Sequence, residues 1–188
     1  MGGACDYGRS MGKPPGVISV RLAMSLDGYV ADHDGGYDWI VPVPSPMLDT
    51  GHQLPFDDFL ADVDLVVMGR HCYEQGQFRD YLNLGKQVMV ATSILPASGP
   101  QGVQFCDDVV NAVTAARDVG KRCFLFGGGV LVHSFLAADA VDMLTVGIVP
   151  VILGGGRPLF PGEHPTITLR LTDYTVSEGK VRLVYQRR

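Results

Sequence analysis

The sequence predicts an α/β sandwich with a mainly parallel central sheet and an antiparallel edge. Three observations carry that expectation. Between Leu65 and Val149, short apolar runs alternate with single helical patterns, and strands separated by single helices join as parallel neighbours. The last two apolar runs, Thr166 to Tyr174 and Lys180 to Gln186, are joined around Glu178-Gly179, which is the pattern of an antiparallel hairpin. Two runs break at glycine and continue as helix starts: Val67-Met68-Gly69-Arg70-His71-Cys72-Tyr73-Glu74 and Phe124-Leu125-Phe126-Gly127-Gly128-Gly129-Val130.

In order along the chain, Val17 to Ala23 is a β-branched run that predicts the first strand, ending in Met24-Ser25-Leu26-Asp27-Gly28, where Asp-Gly suits a tight turn. A loop rich in Gly, Pro and Asp follows through Pro46 and carries the single tryptophan, Trp39; connections of that length are often functional. Leu48 to Val63 predicts a helix, with Pro55 near a turn start and Asp57 and Asp58 after it. Leu65 to Met68 predicts a strand, Cys72 onward a short helix, Gln87 to Ala91 a strand ending in Thr92-Ser93, and Val103 to Cys106 a brief strand. A helix is expected over Asp107 to Val119 with Asp107 or Asp108 as N-cap. Cys123 to Phe126 is the next strand, Val130 to Ala137 a helix, and Met143 to Val149 a strand leading into Ile152-Leu153-Gly154-Gly155-Gly156.

The 188 residues are 46% hydrophobic and 19% charged, enough for one substantial core, so one domain is expected over 17–188 after a loose, small and polar tail at 1–16. A net charge of −5 offers no field for nucleic acid or an anionic membrane, and no apolar stretch is long enough to span a bilayer. No signal-peptide core precedes Pro15. Cys5, Cys72, Cys106 and Cys123 are scattered without close pairing, which argues against a disulfide scaffold or a zinc site and for reduced thiols in a cytoplasm. Cys72 beside the first glycine break reads as a small semi-buried residue rather than a nucleophile.

A strand that breaks at glycine into a helix aims backbone N–H groups and the positive helix end at one spot, which suits phosphate. Two such breaks, the first supplying Arg70 and His71, point to a phosphate-bearing dinucleotide. Other motifs fail. Gly127-Gly128-Gly129-Val130-Leu131-Val132 has valine where the Rossmann pattern needs glycine. Gly3 to Ser10 imitates a P-loop but has Arg9 for the lysine and no preceding strand. No nucleophile elbow, zinc-protease or zinc-deaminase signature occurs, and the five histidines form no ligand cluster, so no metal is expected.

Taken together, these segments resemble the dihydrofolate reductase-like superfamily, a three-layer α/β sandwich, and within it the riboflavin-biosynthesis reductase branch, the RibD C-terminal domain family. Ser25-Leu26-Asp27-Gly28 is similar to that branch's Ser-Leu-Asp-Gly turn. Met68-Gly69-Arg70-His71 with Tyr73-Glu74 resembles a Met-Gly-Arg-x-Thr-x-Glu segment. Phe126-Gly127-Gly128-Gly129 resembles the glycine run after the fifth strand, and Pro150 to Gly156 with Pro158-Leu159-Phe160 the late loop. The resemblance extends from Val17 to Gln186.

It implies NADPH as hydride donor to a C=N or C=O bond of a small heterocyclic or sugar-linked substrate, such as 5-amino-6-(5-phosphoribosylamino)uracil. The backbones of Ala23 and Val30 would hold the nicotinamide carboxamide. Gly69, Arg70 and His71 would face the phosphates of the adenosine half, with Thr92 and Ser93 flanking it. Gly127, Gly128, Gly129, Val130 and Leu131 would receive the pyrophosphate. Met24 and Trp39 would border the substrate, Trp39 as a lid or as simple packing. Asp27, at the nicotinamide edge, is the first candidate for handling the proton; its plainer reading is an Asp-Gly turn. Asp57, in Leu54-Pro55-Phe56-Asp57, is the second, because dihydrofolate reductases place an acid on the first helix beneath the pterin; it also reads as a helix N-terminal charge. The resemblance further implies a homodimer. A dihydrofolate or pterin reductase, and a non-catalytic NADP-binding module, remain open beside the leading reading.

Overall fold

Residues 16–188 are described in a computed structural model, so the tail at 1–16 lies, apart from Gly16, outside the described residues, together with Cys5 and the P-loop imitation. The elements are β1 (Val17–Ser25), β2 (Tyr29–Ala31), α1 (Phe56–Ala61), β3 (Leu65–Gly69), α2 (Arg70–Glu74), α3 (Phe78–Asn83), β4 (Gln87–Ala91), β5 (Val103–Cys106), α4 (Val109–Asp118), β6 (Arg122–Phe126), α5 (Gly129–Ala137), β7 (Met143–Val149), β8 (Arg157–Pro158), β9 (Leu169–Ser177) and β10 (Lys180–Arg187).

Eight of the strands form one sheet in the order β5-β4-β3-β6-β1-β7-β10-β9, and β2 pairs with β8 in a small second ribbon. The neighbours from β5 to β7 are all parallel, and β10 joins β7 and β9 antiparallel. The predicted fold class is therefore the observed one. Parallel pairing explains the continuous apolar runs of β3, β4 and β6, since their strands are covered on both faces.

Alternation along the strands divides the core in two. Ile18, Val20, Val67 and Leu125 point to one face and meet Val109 and Val113 of α4 and Val132 and Phe135 of α5. Val66, Met68, Val88 and Phe124 point to the other and meet Leu60 of α1 and Phe78 and Tyr81 of α3. Helices on both faces of one sheet make three layers. Full burial of each such side chain stabilises by about 1.5–3 kcal/mol.

Some elements differ from expectation, each for a local reason. The helix predicted over Leu48–Val63 is confined to α1, because Pro55 is extended (φ −56°, ψ 148°) and the chain before it is tied elsewhere. Val43 N donates to Glu178 O at 3.0 Å and Thr50 N to Val176 O at 3.0 Å, while Val176 N donates to Thr50 Oγ1 at 3.2 Å. That segment thus covers part of the exposed edge of β9, as edge strands require. α3 was not expected; Gly76, at φ 81°, ends α2 and starts it as a separate helix. Asp108 occupies the cap position of α4, but its carboxylate accepts from Asn111 Nδ2 at 2.8 Å instead of capping. The hairpin strands run further than predicted, to Ser177 and Arg187, and Glu178 (φ 52°) and Gly179 (φ 72°) form the left-handed two-residue turn that matches strand twist. No helix among the described residues is long and apolar enough to cross a membrane.

Candidate active site

The parallel strands β3 and β6 are neighbours, so their two glycine breaks open side by side at one rim of the sheet. A Cβ placed on Gly127 would lie 3.7 Å from Gly69 N and 3.8 Å from Cys72 Sγ. Gly128 has ordinary extended angles (φ −77°, ψ 178°), yet a Cβ there would meet nothing within 4 Å. Gly128 is exposed, and the space above it is open. Gly129 is glycine for another reason: its Cβ would strike Pro158 O at 2.3 Å and Leu159 O at 2.8 Å, so α5 starts in close contact with the late loop. The first N–H groups of a helix have no intrahelical acceptor, and Gly129 and Val130 carry those of α5. Leu131 does not contribute in the way predicted. Its side chain is buried and its N–H donates to Gly128 O at 3.2 Å.

On the neighbouring rim, Arg70 and His71 are exposed at the start of α2, and Thr92 and Ser93 end β4. Arg70 is partly engaged, because its Nε donates to Glu74 Oε1 at 2.6 Å in an i,i+4 pair. Only its terminal nitrogens remain for a ligand. His71 Nε2 lies 3.1 Å from Gln75 Nε2. Thr92 Oγ1 accepts from Ile94 N at 3.2 Å, and Ser93 is exposed. Arg157 on β8 was missed by sequence reading. Its guanidinium reaches the Gly35 turn and acts electrostatically on Cys72. Burial nevertheless raises the Cys72 pKa against that cation, so the thiol stays protonated, in keeping with a packing role.

Asp27 is occupied. Its Oδ1 accepts from Ser25 Oγ at 2.6 Å and Leu153 N at 3.1 Å, and its Oδ2 from Gly154 N at 2.8 Å. Ser25 Oγ also accepts from Tyr29 N at 3.0 Å. The Ser25 bond above all, with those from Gly154 and Leu153, holds the carboxyl below its usual range. An ionised carboxylate with both oxygens engaged is a poor proton donor. Asp27 braces the turn after β1 against the late loop.

Ala23 heads the second half of the site. It lies in one rung with Gly147 of β7, Arg182 of β10 and Thr175 of β9. Two residues earlier on β1, and so on the same face, Arg21 projects toward the chain before α1. Its Nη2 donates to Leu54 O and its Nη1 to Pro55 O at 3.3 Å, while Arg182 Nη1 donates to the same Leu54 O at 2.7 Å. The Arg21 guanidinium lies 5.4 Å and 5.1 Å from the ring centres of Phe56 and Phe59. Burial, then the charge of Arg182, lowers its pKa to about 10; burial lowers that of Arg182. Asp57, the second predicted acid, is exposed in the first turn of α1 and pairs with neither arginine. Met24 packs against the cluster on the opposite face, and Val30 packs there too. Trp39 is partly buried, and its Nε1 donates to Gly36 O at 3.3 Å within its own loop.

Comparison with known proteins agrees with this geometry. The family described as RibD C-terminal domain matches residues 103–183, from β5 into β10. The uncharacterized protein YwjB of Bacillus subtilis (strain 168) is 31% identical over 170 residues, covering 88% of this chain and 95% of that protein. A crystal structure from Shewanella sp. PV-4, named as a candidate riboflavin biosynthesis protein, is similar at 27% identity with a TM-score of 0.73, covering 92% of this chain and 99% of that one. Dihydrofolate reductase from Enterococcus faecalis, complexed with NADP(H) and RAB-propyl, shares the fold at 19% identity and a TM-score of 0.57, covering 93% of this chain and 98% of that one. The architecture is dihydrofolate reductase-like.

The Asp27 brace predicts a pH effect of fixed sign. Its folded pKa lies below the unfolded one, so its contribution is present above the ordinary aspartate range and is lost as pH falls through the folded value. Denaturant unfolding of wild type and Asp27→Asn should show a larger stability gap at pH 6 than at pH 3. A gap independent of pH would show that the carboxylate charge does not hold the late loop.

Proposed function

The chain belongs to the RibD C-terminal domain family, and we propose that it is an NADPH-dependent reductase of a small heterocyclic or sugar-linked C=N or C=O substrate. One observation carries the reading: two glycine breaks abut at the rim of a parallel sheet, with open space over Gly128, where α5 begins. This fits a pyrophosphate approached by bare backbone. Gly69 and the terminal nitrogens of Arg70 are available for the 2′-phosphate side, with His71, Thr92 and Ser93 around it. Arg157 adds a cation near the same cleft. Ala23 and Val30 would hold the carboxamide of the nicotinamide.

When bound, NADPH supplies the hydride. The part of this chain is to align donor and acceptor, to shield them from water and to match their charge. The latched turn at Asp27 keeps the end of β1 and the late loop fixed around the nicotinamide edge. A water held at Asp27 would supply the proton, the rest of the solvent being excluded from the reacting carbon. The engaged carboxylate of Asp27 favours a second reading, a module that binds the dinucleotide without reducing anything. Substrate-dependent loss of reduced-nicotinamide absorbance across a panel of heterocycles separates the two. A pterin reductase is disfavoured, because Asp57, the acid of the first helix, is exposed. Self-association as a homodimer is also proposed; Leu26, Met47, Leu48 and Ile152 are exposed apolar side chains able to serve it.

Fluorescence titration should show NADPH binding at least about tenfold tighter than NADH, with Arg70→Ala removing about 1.5–3 kcal/mol from NADPH alone, the range for a charge-assisted hydrogen bond. Equal losses for both cofactors would take Arg70 off the 2′-phosphate. Gly128→Val should fold, since its backbone angles suit any residue, yet bind NADPH far more weakly; an unchanged affinity would put the pyrophosphate elsewhere. Light scattering at tens of micromolar should give twice the chain mass, and a monomer mass would refute the dimer.

A further inference from the structure

We propose that the pocket between the end of α5, the start of β7 and the run into β9 is a ligand site for a small apolar amine, an aromatic ring carrying an ammonium group. The site stands apart from the glycine rim and does not depend on the reductase reading.

Its walls come from elements that do not close on one another. Leu136 near the end of α5 and Leu144 in β7 are buried in the core that α4 and α5 cover. Ile167 and Leu169, from the run into β9, pack against the same core without completing it. A pocket of about 190 Å³ stays open between them, with Phe160 and His164 on its border. An apolar cavity of roughly 150 Å³ already holds benzene, so this one has room for a ring and a short chain. Phe160 is 45% exposed, although its ring meets that of His164 edge-on with centroids 6.1 Å apart. A guest ring would cover that surface and add a further aromatic pair.

The polar part of the lining has one sign. Asp139, Asp142 and His164 supply it, and no lysine or arginine belongs to it. His164 Nδ1 donates to Pro165 O at 2.9 Å, so Nε2 of the neutral ring is left as an acceptor. Asp139 is taken by Arg187. Asp142 is not fully used. Its Oδ2 accepts from Ile18 N at 2.8 Å, while its Oδ1 lies 3.6 Å from Arg117 Nη1, beyond hydrogen-bond length. The Nε and Nη2 of that arginine are committed to Asp118 Oδ1 at 3.1 Å each. Asp142 is thus a half-buried carboxylate with a free oxygen beside an apolar pocket. An ammonium group there would make a charge-assisted hydrogen bond, and an anionic guest would be repelled. The apolar volume selects the ring, and the one-signed border selects the amine.

The pocket is also separate from the nucleotide rim. Leu136 stands about 10 Å along α5 from Gly129 at 1.5 Å per residue, so the amine and a dinucleotide would not compete.

The test is calorimetry on the full chain with 2-phenylethylamine and, separately, 3-phenylpropionate, which has a similar shape and the opposite charge. The amine should bind saturably at one per chain, and the carboxylate at least about tenfold more weakly. Asp142→Asn keeps an acceptor for Ile18 N and should weaken the amine by about tenfold, the weight of one charge-assisted hydrogen bond. Asp58→Asn, an exposed acid on α1, should bind like wild type. Ile167→Trp should fill the pocket and abolish binding. If that variant does not fold, Ile167→Phe narrows the pocket and should weaken binding several-fold. Saturating NADP+ should leave the affinity for the amine unchanged. No saturable binding, equal binding of amine and carboxylate, or unchanged binding in a folded Ile167 variant overturns the site. Displacement by NADP+ overturns it too, because the amine would then occupy the nucleotide rim. So does an affinity that falls as the chain concentration is raised, which would mean that a second copy covers the pocket.

Discussion

Parallel pairing is the constraint on which the rest depends. Strands β3, β4, β6, β1 and β7 all run one way, so every connection must cross back over a face of the sheet, and every carboxyl end arrives at one rim. The crossings put α1 and α3 on one face and α4 and α5 on the other. The rim then collects Gly69, Ala91, Phe126 and Val149 within a few strand spacings. In open parallel sheets the crevice outside the carboxyl ends is where ligands bind. The two glycine breaks gain meaning only because β3 and β6 are neighbours there.

A second constraint fixes the height of that rim. The turn after β1 and the late loop before β8 are separated by more than a hundred residues, yet Asp27 ties them through Leu153 N and Gly154 N. The same late loop touches the start of α5 so closely that Gly129 has no room for a Cβ. One carboxylate therefore connects the turn after β1, through the late loop, to the start of α5. Its lowered pKa follows from that work: charge is kept because three hydrogen bonds need an acceptor.

What the sequence made legible was local. The glycine breaks, the hairpin turn and the strand runs of β3, β4, β6 and β7 each carry their signal within a few residues, and the structure places them where that signal does. The fold class followed from their order. The Arg70–Glu74 pair was readable too, since the two stand i,i+4 on a helix start, but the resemblance drew attention to the phosphate instead. The long helix predicted before β3 failed because tertiary bonds to β9 outweigh helix propensity between Leu48 and Pro55. The Asp27 brace and the Arg21–Arg182 pair were not legible at all. Their partners lie at opposite ends of the chain and meet only through the register of β7 with β1 and β10.

That register also decides which side chains meet on the sheet face. A carboxylate beneath a pterin accepts hydrogen bonds from its amino and ring N–H groups and favours a protonated ring. Here Asp57 is exposed in the first turn of α1, and the sheet face carries Arg21 and Arg182, which donate to Leu54 O and Pro55 O. The pair is brought together by strand register and by no local motif, which is why the sequence alone does not join the two side chains.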